Sequence, residues 1–165
     1  MSMTGNYLRV APEVLAGLKA DPDSILNFLY PDDEARHPEG RHLDIGRSWH
    51  AIHFLLNGDP WEGDPPLIDA VLGGTPIGTD DFGYGPTRYL NPEDVQAVAV
   101  AIDALPAYQL LEEFGPGAMN DAQIYAHGWR GSEEERQCLT TNYIELVAFF
   151  NRAAKAGDAM LLYLT

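Results

Sequence analysis

Two histidines stand three residues apart in the segment Asp44-Ile-Gly-Arg-Ser-Trp-His-Ala-Ile-His-Phe-Leu-Leu-Asn-Gly58. At about 100° per residue, His50, His53 and Asn57 fall together on one flank of a helix. Ile45, Trp49, Ile52 and Leu56 form the adjoining stripe, which must face a core. Two imidazoles at this spacing reach a common atom. That suits proton transfer in a cleft or, with an acid such as Asp44 as a further donor, a metal ion. The plain alternative is that the ring N–H groups bond backbone carbonyls and the rings pack. No third Cys, His or acid stands at a known metal spacing, so neither a metal site nor a cofactor is expected.

A second concentration of chemical groups lies in Gly73-Gly-Thr-Pro-Ile-Gly-Thr-Asp-Asp-Phe-Gly-Tyr-Gly-Pro-Thr-Arg-Tyr89. It is not a phosphate loop, because it lacks GxxxxGK[ST] and its acids would repel phosphate. Asp80, Asp81, Tyr84 and Arg88 bring acid, hydroxyl and cation together; adjacent acids suit a hard cation such as Ca²⁺, but the calcium-loop spacing is absent, which counts against one here. Arg88 is the one Lys or Arg between Ser48 and Trp129, a span with twelve acids. It reads either as an ion-pair anchor or as the holder of an anionic group. His50, His53 and Tyr84 are therefore the candidate catalytic residues. Asp80, Asp81, Tyr84, Arg88 and Asn57 are the candidate ligand-binding residues. No GxSxG, HExxH or CxxC motif is present. Cys138, with no charge partner evident, reads as inert, and His42 and His127 as ordinary loop residues.

The elements that must position these groups follow from caps and periodicity. Residues 3–10 read as a strand, with Leu8 and Val10 on one side and Tyr7 and Arg9 on the other. Three segments open with the same device, a proline followed by an acid, at Pro12, Pro22 and Pro92. Residues 31–41 read as loop. The histidine helix is expected over 45–57, capped by Asp44 and closed by Gly58. A loop over 59–66 precedes a short helix over 67–72. The glycine-rich 75–85 is expected as a loop leading into a strand at 87–90. Helices follow over 92–105 and 107–114. Ser132 and Glu135 form a capping box that opens the longest helix, to 156. Ile144 and Phe149 lie off its apolar stripe, so it buries two faces or meets a partner. Residues 160–164 form a continuous apolar run, the pattern of a strand covered on both faces. The fold class is α+β: one domain over 1–165, with a small mixed β-sheet, several helices and the C-terminal strand central.

Charge sets the choice of partner. The 165 residues hold 25 acids against 10 bases, for a net charge of −15 and a pI near 4.4. Nucleic acid and anionic membranes are excluded as partners. One cysteine excludes an internal disulfide framework. No basic-then-apolar leader and no apolar run of about 20 residues appears, so a cytoplasmic location is expected. Two functions stand. The first is an acidic binding or immunity-type module for a basic protein. The second is a small-molecule enzyme or sensor in which His50 or His53 moves a proton, Tyr84 donates a hydrogen bond and Arg88 holds a small anionic molecule. Monomer and homodimer are both compatible with the sequence.

Several blocks resemble a known family. They are the opening Met-Thr-Gly-Asn-Tyr-Leu-Arg-Val, the helix Trp49-His-Ala-Ile-His-Phe-Leu-Leu-Asn-Gly58, Gly73-Gly-Thr-Pro-Ile-Gly, Tyr84-Gly-Pro-Thr-Arg-Tyr-Leu and the Leu161-Leu-Tyr-Leu ending. Together they are similar to the YfbM-like family, a bacterial family of unknown function, across nearly the whole chain. The resemblance implies a free-standing α+β domain. It implies no activity, cofactor or catalytic residue.

Overall fold

A computed structural model describes residues 2–31, 37–81 and 83–165. Its middle strand is the C-terminal one, β5 (Ala159–Leu164). Met160 and Leu162 point into one hydrophobic cluster, and Ala159, Leu161 and Tyr163 into another. A strand with no polar face is stable only when both faces are covered. Here helices lie on both sides of it.

β1 (Gly5–Val10) runs antiparallel along one side of β5, from Gly5↔Leu164 to Val10↔Ala159. β4 (Pro86–Leu90) runs antiparallel along the other, with Arg88 opposite Leu162. β2 (His42–Asp44) and β3 (Thr75–Asp81) complete the order β2-β1-β5-β4-β3. Every pairing is antiparallel, which corrects the expected mixed sheet. The reason is that the last strand enters between β1 and β4 running opposite to both.

The stretch expected as a glycine-rich loop is largely β3. Pro76 lies opposite Arg88, and the register shifts between Pro76 and Asp81. A rim strand bonds on one side only, so it tolerates a proline and an irregular step that a central strand would not.

α1 (Pro12–Ala20) and α2 (Ile25–Leu29) cover one face of the sheet through Leu15, Leu18, Ile25 and Leu29. The other face carries α3 (Trp49–Asn57), α4 (Pro92–Asp103), α5 (Ala107–Leu110), α6 (Pro116–Asp121) and α7 (Glu133–Ala156). The α7 capping box is present: the Glu135 N–H donates to Ser132 Oγ at 3.1 Å, and Ser132 N–H to Glu135 Oε1 at 2.9 Å. Phe149 is buried under this helix, whereas Ile144 stays 55% exposed. α3 is preceded by a single 3-10 turn, Gly46–Ser48. Asp44 does not cap the α-helix itself; its Oδ1 accepts from Gly46 N–H at 2.7 Å and shapes that turn. Gly58 closes α3 with φ 73°, a left-handed conformation that glycine adopts without penalty. No helix among the described residues is long and apolar enough to cross a membrane.

Candidate functional site

The candidate site lies where α3, the 59–74 segment and β4 meet. His50 is 1% exposed and stacked on Trp49, with ring centroids 4.8 Å apart. Trp61 closes over it at 4.4 Å. Tyr125 donates its backbone N–H to His50 Nδ1 at 2.9 Å. The proton therefore sits on Nε2, which donates to the Pro60 carbonyl at 2.9 Å. Both ring nitrogens are thus spent on backbone, and burial pushes the imidazole pKa down.

His53 is fully buried. Asn57 Nδ2 lies 3.3 Å from its Nδ1, 3.0 Å from the His53 carbonyl and 3.4 Å from the Leu67 carbonyl. Asn57 thus ties the histidine to the next turn of chain. His53 Nε2 closes no hydrogen bond among the described residues. The Glu62 backbone draws its pKa up without closing such a bond. Burial outweighs that pull and His50 adds repulsion, so His53 falls to about 4. It is neutral at pH 7.

The 59–66 loop that seals these rings is built locally. Asp59 Oδ1 accepts from the N–H groups of Trp61 and Glu62, at 2.9 and 2.8 Å. Those two bonds hold the Asp59 pKa low. A Cβ on Gly63 would stand 2.2 Å from Asn57 Oδ1, so only glycine lets the loop lie this close to α3.

Arg88 reaches the same region from β4. Its Nη1 donates to the Val71 carbonyl at 2.9 Å and the Gly73 carbonyl at 2.7 Å. Tyr7 OH donates to the Ala70 carbonyl. Asn57, Tyr7 and Arg88 therefore fasten four carbonyls of one turn, Leu67 to Gly73. Arg88 is near enough to His53 for its charge to lower that pKa further. Arg88 itself is pushed down by burial, with Tyr7 and Asp69 opposing the shift. Arg88 is thus an anchor for backbone carbonyls.

Tyr84 does not join this cluster. Tyr84 lies half-buried in the β3–β4 connection. Among the described residues it shares no hydrogen bond or ring contact with His50, His53 or Arg88. Asp80 and Asp81 end β3, with Asp81 opposite Pro86; their side chains lie outside the described residues. No group of three His, Cys, Asp or Glu among the described residues is placed to hold a metal ion.

One cleft escaped sequence reasoning. Cys138 is exposed on α7 and lines a cavity of 280 Å³ with Arg47, Ser48, His127, Trp129 and Glu135. Asn142 Nδ2 donates to Ser48 Oγ at 2.7 Å, and that oxygen lies 3.8 Å from Cys138 Sγ. The i, i+4 pair Cys138/Asn142 was the available signal. Ser48 arrives from 90 residues away, which no local pattern reports.

Comparison with known proteins agrees with this architecture. The family described as "Domain of unknown function (DUF1877)" matches residues 1–163. No curated protein matches the chain. The crystal structure of a protein of unknown function, YfbM from Escherichia coli, is similar with a TM-score of 0.73 and 24% identity. The match covers 98% of this chain and 99% of that one, and at this identity it speaks to the fold.

Proposed function

This chain belongs to the DUF1877 family, and from that premise we propose that it is an acidic binding module that engages a basic protein partner. The observation that carries this reading is the lack of internal compensation for its charge. Among the described residues both ion pairs, from Arg9 and from Arg41, end on the single acid Asp158. Arg88 is spent on carbonyls. The exposed acids therefore present their charge to solvent and to whatever approaches. Opposite potential steers association and sets partner choice.

A groove of 370 Å³ between α4–α5 and α7 gives that partner a place to anchor. Tyr108 is 74% exposed and Ile144 55% exposed at its walls. Asp103 lines it, and Glu145 stands exposed next to Ile144 in sequence. An apolar floor with an acidic rim suits a basic segment bearing one large apolar side chain. The proton-transfer reading is not favoured, because His50 is committed to backbone on both sides and Tyr84 stands apart.

The test uses the protein as bait against lysate of its own cells, beside an Ile144→Asp bait. The expected result is a basic protein retained at low salt, released as salt rises, and lost from the variant even though the variant is more acidic. A retained set that ignores both salt and the substitution overturns the proposal.

A further inference from the structure

The groove between α4–α5 and α7 also specifies the form and the charge of what enters it. Its walls come from three helices: Ile102 and Asp103 of α4, Tyr108 of α5, and Ile144 and Val147 of α7. Backbone N–H and C=O groups inside a helix bond along that same helix. Such walls offer few backbone partners to an extended chain, which would bury its own polar groups unbonded. Two carbonyls at the end of α4 are also taken, because Tyr143 OH donates to those of Ile102 and Leu105 at 3.1 and 2.7 Å. A helix arrives with its backbone bonds already closed, and its side-chain ridges seat between two others.

The electrostatics add a cation to that helix. The C-terminal end of α4 borders the groove, and the negative end of a helix dipole amounts to about half an elementary charge. α1 and α7 carry Lys19 and Lys155 in their last turns, whereas α4 ends on Asp103 with no base in its last turn. α5, which begins beside it, is one turn of four residues and opposes it little. Asn151 Nδ2 donates to Asp103 Oδ1 at 3.0 Å and holds the carboxylate in place. Burial first, and then the charge of Asp103, push the Tyr143 phenol up to about 12, so that charge is felt at the groove wall. Among the described residues, none that line the groove is basic.

Resting on the partner reading above, we propose that the basic partner enters this groove as an amphipathic helix. A large apolar side chain lies between Tyr108 and Ile144, and a lysine or arginine one turn away reaches Asp103 and the end of α4. Residues at i and i+4 share a helix face, so one short motif supplies both groups. A second copy of this chain does not meet the requirement. Each copy carries a net charge of −15, and a symmetric contact would bring like charges together.

The probes are alanine-based peptides of about 16 residues, long enough to be helical alone. Each carries Phe or Leu with Lys at i+4. They are titrated into the full chain and followed by calorimetry and by NMR shifts around α7. A peptide of the same composition with the two groups on opposite faces tests the geometry, and one broken by a central proline tests the helix. The expected result is saturable binding of the aligned peptide, at least about tenfold tighter than of either control. Tyr108→Ala weakens it about tenfold, as loss of a central anchor does. Asp103→Asn keeps the acceptor for Asn151 and weakens binding about two- to fivefold, the worth of one exposed ion pair. Both positions are exposed, so both variants keep the fold. Equal binding of aligned and control peptides, or binding that both variants leave intact, overturns the helix. So does failure of every peptide; if the bait still retains a basic protein in a salt-sensitive way, the partner reading survives, and if it does not, both fall. A dimer of the free chain, seen by sedimentation and dissolved by Tyr108→Ala, puts a second copy in the groove and overturns the proposal as well.

Discussion

His50 and His53 share one helix face, yet the chain uses them differently. His50 bridges Tyr125 N–H to the Pro60 carbonyl, two half-buried backbone groups. An unsatisfied buried polar group costs about 1–3 kcal/mol. His50→Ala orphans two, so urea unfolding should show a loss of about 2–5 kcal/mol. Titration separates the rings from a surface histidine. Burial holds both pKa values below 6.5, His53 at about 4. The unfolded chain therefore takes up protons that the folded one refuses. Stability is full above the ordinary histidine pKa and falls as pH drops from 6.5 toward 4. At its steepest the His53 contribution is about 1.4 kcal/mol per pH unit. Urea midpoints across this range should show the decline, and His53→Gln should flatten it. Arg88→Lys should also destabilise, by about 1–3 kcal/mol in the same assay, because one ammonium cannot reproduce a planar donor aimed at two carbonyls. The sequence disclosed the shared face of these histidines and the isolation of Arg88 among acids. It could not disclose what they bond, because Pro60, Tyr125, Val71 and Gly73 belong to irregular segments whose carbonyls and N–H groups carry no residue-type signature.

At the scale of elements, the signals that worked were caps and uninterrupted apolar runs. The Ser132/Glu135 box opens α7 where the pattern put it. Ser132→Ala removes the acceptor for Glu135 N–H, and thermal unfolding should report a loss of about 1 kcal/mol. β5 was legible as central because it has no polar face at all. β2 and β3 were not legible. β2 is three residues long, too short for alternation to register. β3 carries Pro76 and Gly78, both of which argue for a loop when a strand is assumed to be bonded on both sides. The gathering of Arg9 and Arg41 on Asp158 was hidden for a related reason. Alternation placed Arg9 correctly on the Tyr7 side of β1. The neighbouring Arg41 and Asp158 come from segments far away in sequence, joined only by the sheet.

Taken whole, the molecule is strongly anionic and folds against its own repulsion. Adding salt has two opposed effects: it weakens the Asp158 pairs and it screens the repulsion among unpaired acids. Asp158 is buried and its pairs are short-ranged, so they lose little. The unpaired acids are many and exposed, so screening them wins. Sodium chloride should therefore raise the melting temperature; a fall would show that the internal pairs dominate.

The two borders of the sheet have a consequence of their own. An unprotected rim offers a ladder of free N–H and C=O groups on which another chain can build. Here one rim is only three residues long, and the other is interrupted by a proline, a left-handed glycine and two aspartates in sequence. Neither makes a good template for added strands. Whatever this domain meets is thus received on its side-chain surface, and a crowded solution of it should resist growing into fibrils.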